Sequence, residues 1–150
     1  MPMLNEDIRR QVTDLFTRNL REPVTMHFFT QKSSLISVPS QECHTCKEAG
    51  ELLREIVSIS DKLKLETHDL VAEAEMARKL GVEKIPGLVL QGKNRGMVRY
   101  FGVPAGYEFG VLIEALKDLS QGTTQLSENT RAQLSRLPGP VHIQVLVTPT

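Results

Sequence analysis

Short runs of β-branched and aromatic residues alternate along this chain of 150 residues with longer segments in which apolar residues recur at helical spacing. This alternation is typical of βαβ units, in which crossover helices join parallel strands. It predicts a strand at 24–30, a helix at 43–59, a strand at 63–70 and a helix at 72–80 that Gly81 caps. The chain is therefore expected to adopt an α/β fold.

The flanking segments complete this pattern. Leu4, Ile8, Val12, Leu15 and Phe16 predict a helix that ends before the proline at position 23. Strands at 85–91 and 97–101 form a predicted hairpin, and a last core helix follows the segment 104–106. The sheet should be mixed, with helices on both faces in a three-layer arrangement. A short helix at 127–136 and a strand at 141–147 are predicted beyond it.

The charge balance excludes several classes of partner. The chain has 18 basic and 18 acidic residues, so no global field attracts nucleic acid or an anionic membrane. The first ten residues include charged side chains where a signal peptide would need an apolar run, and no apolar run is long enough to span a bilayer. A cytoplasmic location is therefore predicted, with neither nucleic acid nor membrane as a partner.

The only two cysteines of the chain, Cys43 and Cys46, stand at the spacing of a reversible dithiol. At the start of a helix, the unpaired amides and the helix dipole favour the thiolate form of Cys43. Half of a zinc site and a pair of idle buried thiols are the alternatives. The histidines at 27, 44, 68 and 142 do not stand at finger spacing, so we expect no metal and favour redox chemistry.

The order of elements, the dithiol at the head of the first crossover helix and the proline that begins the third strand resemble the thioredoxin/glutaredoxin fold. More closely, Cys43-x-x-Cys46, the segment 81–86 (GVEKIP) and the segment 99–109 (RYFGVPAGYEF) are similar to the first unit of the protein disulfide oxidoreductases. These are glutaredoxin-like proteins of thermophiles with two thioredoxin-fold units in tandem. The segment 31–42 is longer here than in that family, and we predict that it is mostly loop.

The resemblance implies a role for each site residue. Cys43 would be the attacking thiolate, and Cys46 the buried resolving thiol. Pro86 would be the cis-proline that faces the dithiol, with the backbone of Ile85 available to pair with a substrate peptide. A protonated His44 would lower the pKa of Cys43, although a solvated bystander imidazole is an open alternative.

Two carboxylates on the second strand have two open interpretations. Glu66 or Asp69 would serve as a proton acceptor for Cys46 if its side chain pointed inward beneath the dithiol. The favoured interpretation is that both are solvated carboxylates near a strand end.

We therefore predict a thiol:disulfide oxidoreductase that acts on protein disulfides without a bound cofactor. A thioredoxin-reductase-like flavoprotein is a candidate electron partner. One alternative is a non-catalytic binding or docking module. The other is an electron-relay domain between a flavoprotein reductase and a peroxidase.

The predicted organisation has three parts. Residues 1–121 form the thioredoxin/glutaredoxin-like domain with its N-terminal helix, and residues 122–140 form a helical linker. Residues 141–150 are expected to be the first strand of a missing or truncated second unit. Because one face of this strand is strongly apolar, it is expected to pair with its own sheet or with another copy in a homodimer.

Overall fold

The computed structural model describes residues 3–31, 43–94 and 96–147. Every helix and strand predicted up to residue 136 is present, and most bounds shift by one or two residues. The elements are α1 Glu6–Asn19, β1 Val24–Thr30, α2 His44–Val57, β2 Leu63–Asp69, α3 Ala74–Leu80, β3 Gly87–Gln91, β4 Val98–Phe101, α4 Tyr107–Gln121 and α5 Glu128–Leu134.

The strands form one mixed sheet in the order β2-β1-β3-β4. β1 pairs in parallel with β2 and antiparallel with β3, and β3 pairs antiparallel with β4. Because β1 and β2 are parallel, α2 must carry the chain back along the sheet between them. The predicted α/β fold with a mixed sheet is confirmed.

The two faces of the sheet are buried by different helices. Side chains alternate along a strand, so Met26 and Phe28 of β1 face one way while Phe29 faces the other. The first face joins a large core with residues of α1, α2 and α4, and the second packs against α3. The buried residues of the large core include Val12, Phe16, Val24, Met26, Phe28, Leu53, Ile56, Leu88, Leu90, Leu112 and Leu116.

The start of α1 and the end of α3 each depend on a capping residue. The Asn5 side chain accepts a hydrogen bond from the Ile8 amide at 2.8 Å and so begins α1. Gly81 ends α3 in the left-handed region with φ 69°, as predicted. A Cβ at this position would also crowd the Arg99 guanidinium.

A carboxylate of α2 anchors the segment that precedes α1. Glu55 accepts hydrogen bonds from the backbone amides of Met3 and Leu4. Burial by itself would raise the pKa of Glu55, but these two hydrogen bonds and the nearby Arg9 charge outweigh it and lower the pKa. The N-terminal helix is thereby fastened to the helix that bears the dithiol.

Ser120 of α4 is buried and joins that helix to the connection between α1 and β1. Its hydroxyl accepts from the Arg21 amide at 2.8 Å and donates to the Glu22 carbonyl at 2.6 Å. Ser120→Ala leaves both backbone groups without this partner, so we expect a loss of about 1–3 kcal/mol in the free energy of unfolding by urea. Ser135→Ala, at an exposed serine that follows α5, is the control and should change it by less than about 0.5 kcal/mol. An equal, small change in both variants would contradict the role of Ser120.

The segment after α4 differs from the prediction. Residues 141–147 form neither a helix nor a strand, and they do not join the sheet. Every residue from Gln125 to Val147 is exposed, including those of α5. The predicted pairing of 141–147 with its own sheet is therefore wrong, because no strand of the described sheet supplies hydrogen-bond partners to its alternating apolar pattern. The alternative, pairing with another copy, stays a prediction.

Candidate redox site

The two cysteines lie at the N-terminus of α2 and are bonded to each other in a disulfide. Cys43 is the N-cap residue and has extended backbone dihedral angles, whereas Cys46 lies within the first helical turn. The Cys46 amide donates to the Cys43 carbonyl at 3.2 Å, and the two Cα atoms are 5.4 Å apart. The chain thus turns sharply enough for the two sulfurs to react with each other.

The two sulfur-bearing residues differ in exposure. Cys46 is only 6% exposed, while Cys43 is partly exposed. The first turn of α2 contains no acidic residue. A negative charge that develops on a sulfur here would therefore meet the positive end of the helix dipole without a competing carboxylate in that turn.

His44 is the first residue of α2, and it is exposed. It lies beside Cys43 in sequence and on the same helix end, as expected. Its exposure agrees with both interpretations of this imidazole, the tuning residue and the solvated bystander.

Pro86 is preceded by a cis peptide bond and lies immediately before β3. The pairing of Phe29 with Gly87 places the beginning of β3 beside the C-terminal end of β1. α2 ends shortly before β2, whose first residue Leu63 pairs with Val24 at the start of β1, so the N-terminus of α2 is directed toward the C-terminal end of β1. The sheet therefore brings Pro86 and the cysteines to one end of the fold. Ile85 is partly exposed there, and Pro86 is buried.

The structure places Glu66 on the face of the sheet opposite α2, and Asp69 at the end of β2. The ammonium of Lys64 forms an ion pair with Glu66, and this hydrogen bond lowers the pKa of Glu66. Asp69 accepts hydrogen bonds from the amides of Val71 and Ala72, in the turn after β2. Glu66 also faces His27, on the side of the sheet opposite Phe28, which contacts α2 near Gly50.

A second polar cluster was not predicted from the sequence. His27 of β1 and His68 of β2 are both buried, and their facing ring nitrogens, Nδ1 and Nε2, are 3.1 Å apart. Glu66 lies beside both rings. Three residues of metal-binding type thus meet on the α3 face of the sheet, a placement that depends on the pairing of β1 with β2.

The structure has the features of a thioredoxin-fold domain: a mixed four-stranded sheet, a disulfide-bonded Cys-x-x-Cys pair at the N-terminus of the helix after β1, and a proline before β3. The thioredoxin domain family model matches residues 35–114, more than half of the chain. This chain belongs to that family. The resemblance found in the sequence to thioredoxin-fold disulfide oxidoreductases is confirmed.

Solved structures support the same fold. A protein disulfide oxidoreductase from Aeropyrum pernix is 27% identical, with a TM-score of 0.74 over 90% of this chain and 56% of that one. The alkylhydroperoxide reductase component AhpF of Enterococcus faecalis is 23% identical, with a TM-score of 0.73 over 90% of this chain and 61% of that one. The chain thus spans less than two thirds of the length of either neighbour. Among curated proteins, none matches the chain significantly.

The described residues contain no helix that is both long and apolar enough to cross a membrane.

Proposed function

We propose that this domain is a thiol:disulfide oxidoreductase that exchanges protein disulfides through Cys43 and Cys46. The observation that carries the proposal is the disulfide at the N-terminus of α2, with Cys46 buried and Cys43 partly exposed. This asymmetry suits a pair in which one sulfur meets the substrate and the other closes the cycle.

The exchange proceeds in two displacements. In the reduced domain, the Cys43 thiolate attacks one sulfur of a substrate disulfide, the substrate S–S bond breaks, and its second sulfur leaves as a thiolate. The Cys46 thiolate then attacks the sulfur of Cys43, which breaks the mixed disulfide and releases the first substrate sulfur as a thiolate. Two electrons pass from the domain to the substrate, and an external dithiol restores the reduced pair. The same steps in reverse oxidise a substrate dithiol.

Substrate binding is assigned to the segment before β3. Ile85 and Pro86 lie at the same end of the sheet as the cysteines, and the backbone of Ile85, a partly exposed residue, is proposed to pair with an extended substrate peptide. Such pairing would recognise peptide backbone without selecting one sequence, which suits a domain that acts on several protein disulfides.

His44 is proposed to tune the attacking thiol. A protonated imidazole favours the thiolate, so His44→Ala is expected to raise the pKa of the Cys43 thiol. The thiolate fraction is followed by its ultraviolet absorbance during a pH titration of the reduced protein. His142→Ala removes an exposed histidine of the terminal segment and is the matched control. An unchanged thiolate titration in His44→Ala would leave this residue as a bystander.

Insulin reduction with dithiothreitol tests the proposed activity. The domain should accelerate the precipitation of the insulin B chain above the rate with dithiothreitol alone, because it relays electrons to the insulin disulfides. A rate equal to that of the uncatalysed reaction would contradict the proposal and favour the docking-module alternative.

The likeness to the alkylhydroperoxide reductase component is the observation behind a second candidate function. In this second function, an electron relay, the Cys43–Cys46 disulfide accepts electrons from a flavoprotein reductase and passes them to a peroxidase. Reduction of the domain by NADPH and a thioredoxin-reductase-type flavoprotein, without reduction by glutathione, would favour the relay. Reduction by glutathione alone would favour the first candidate.

The organisation beyond α4 stays a prediction. Residues 1–121, 122–140 and 141–150 are proposed as domain, linker and the first strand of a second unit, and both neighbours are indeed longer than this chain. Pairing of 141–150 with another copy in a homodimer is a prediction that the molecular mass in solution will decide.

A further inference from the structure

The pairing of β1 with β2 gathers three potential metal ligands on the face that α3 covers. His27 is directly opposite Glu66, and His68 is opposite Phe29. Because side chains two residues apart share a face, His27, Glu66 and His68 all point to the same side of the sheet. Two of the three are buried, and the side chain of Glu66 is 32% exposed.

The spacing of the three ligand atoms suits a small cation. His27 Nδ1 lies 3.1 Å from His68 Nε2 and 3.3 Å from Glu66 Oε2, and His68 Nε2 lies 3.9 Å from the same oxygen. Ligands about 2.0–2.1 Å from a tetrahedral zinc ion are separated from one another by about 3.4 Å. The three atoms therefore surround a point at which one ion would reach all of them with small side-chain adjustments.

The outer nitrogen of each ring is already directed to an acceptor. His68 Nδ1 lies 2.6 Å from Glu73 Oε2, and the other oxygen of Glu73 accepts the Asp69 amide at 3.1 Å. His27 Nε2 lies 3.0 Å from Gln91 Oε1. Both outer nitrogens therefore carry their protons, as in the carboxylate–histidine–metal arrangements that orient imidazole ligands.

With the outer nitrogens protonated, the inner ones carry lone pairs. His27 Nδ1 and His68 Nε2 then face each other as two acceptors, and Glu66 Oε2 adds a negatively charged third. Facing lone pairs repel at this distance unless a cation lies between them. The hydrogen bonds therefore leave three acceptor atoms facing one another, an arrangement that a bound cation would stabilise.

We propose that His27, Glu66 and His68 form a binding site for a divalent transition metal ion of the zinc type. Two imidazoles and a carboxylate are donors that suit Zn²⁺, and a water molecule would complete a tetrahedron from the partly exposed side of Glu66. Lys64 forms an ion pair with the other carboxylate oxygen, and its positive charge is expected to lower the affinity for a cation. The bound ion links β1 to β2 and does not require the cysteines.

The test uses the full chain in its oxidised form, because the closed Cys43–Cys46 disulfide keeps both sulfurs from competing for zinc. Zn²⁺ is titrated in competition with a chromophoric chelator, and thermal unfolding is recorded with and without the ion. We expect one Zn²⁺ per chain and an unfolding midpoint raised by several degrees. An oxidised chain that binds no stoichiometric zinc would overturn the proposal.

Three variants localise the site. His27→Gln should remove the zinc-dependent rise in midpoint, and Glu66→Gln should weaken binding by at least about tenfold. Glu66 is partly exposed, so its variant tests the site even if the buried histidine is needed for folding. His142→Gln, at an exposed histidine, is the control and should bind like the unaltered chain. Unchanged zinc affinity in the two ligand variants would assign the ion elsewhere and overturn the proposal.

Discussion

Replacing Cys43 with serine is expected to return insulin reduction to the uncatalysed rate. A serine hydroxyl is not ionised near neutral pH and cannot form the mixed disulfide, so the first displacement is lost. The measurement is the onset of insulin precipitation with dithiothreitol, compared with that of the unaltered domain at equal concentration. Full activity of Cys43→Ser would exclude the proposed nucleophile.

Cys46→Ser provides the mechanistic counterpart. This variant keeps the attacking sulfur but lacks the second one, so the covalent complex with substrate should accumulate and be visible on a non-reducing gel. The complex should be absent from Cys43→Ser. Trapping by Cys43→Ser in place of Cys46→Ser would reverse the assigned roles, and trapping by neither would remove the covalent mechanism.

Replacing Leu116 with alanine is expected to lower the free energy of unfolding by about 2–5 kcal/mol. Leu116 is 0% exposed and lies on α4, within the core that also includes buried residues of α1, α2 and the sheet. Truncation removes buried methyl groups and leaves a cavity that these elements fill only in part. Urea unfolding of the oxidised protein measures the change, because the closed disulfide keeps the redox state constant.

Val111 offers the matched control on the same helix. Its side chain is 69% exposed, so Val111→Ala removes apolar atoms that make little contact with the core. The expected change is within about 0.5 kcal/mol. If both variants lost similar stability, burial of the Leu116 side chain in the core would not account for the effect of Leu116→Ala.

The elements of the domain were predictable because local patterns and tertiary packing agree. β1 begins and ends at the predicted residues, and Gly81 ends α3 as expected. The exceptions are small. β3 begins at Gly87 rather than Ile85, since Pro86 has no amide hydrogen to donate to the neighbouring strand.

The redox site was predictable in its residues but not in its surroundings. The spacing of Cys43 and Cys46 and the helical pattern that follows placed the pair at a helix end. Their unequal exposure depends on how α2 lies against the sheet, which no local pattern encodes. The same holds for the position of Pro86, which requires the pairing of β1 with β3.

The histidine pair was missed for a related reason. Zinc ligands that a sequence reveals by spacing lie a few residues apart, whereas His27 and His68 are 41 residues apart. Parallel pairing of two predicted strands would have been the signal, because it sets His27 directly opposite Glu66. Metal ligands that lie on two different strands can be recognised only when the register between those strands is known.

The terminal segment shows the opposite failure. Val141, Ile143, Val145 and Val147 alternate with other residues in the manner of a strand, but a strand also needs a neighbour to accept and donate its hydrogen bonds. An alternating pattern predicts which side chains share a face of a strand. It does not show whether a neighbouring strand is present.

The exposure of every residue from Gln125 to Val147 has a practical consequence for spectroscopy. Among the described residues, the members of both hydrophobic cores precede Gly122, so a polypeptide that stops there retains every buried apolar residue of these cores. Such a shortened sample would give simpler NMR spectra, and it would lack the exposed apolar side chains of residues 141–147.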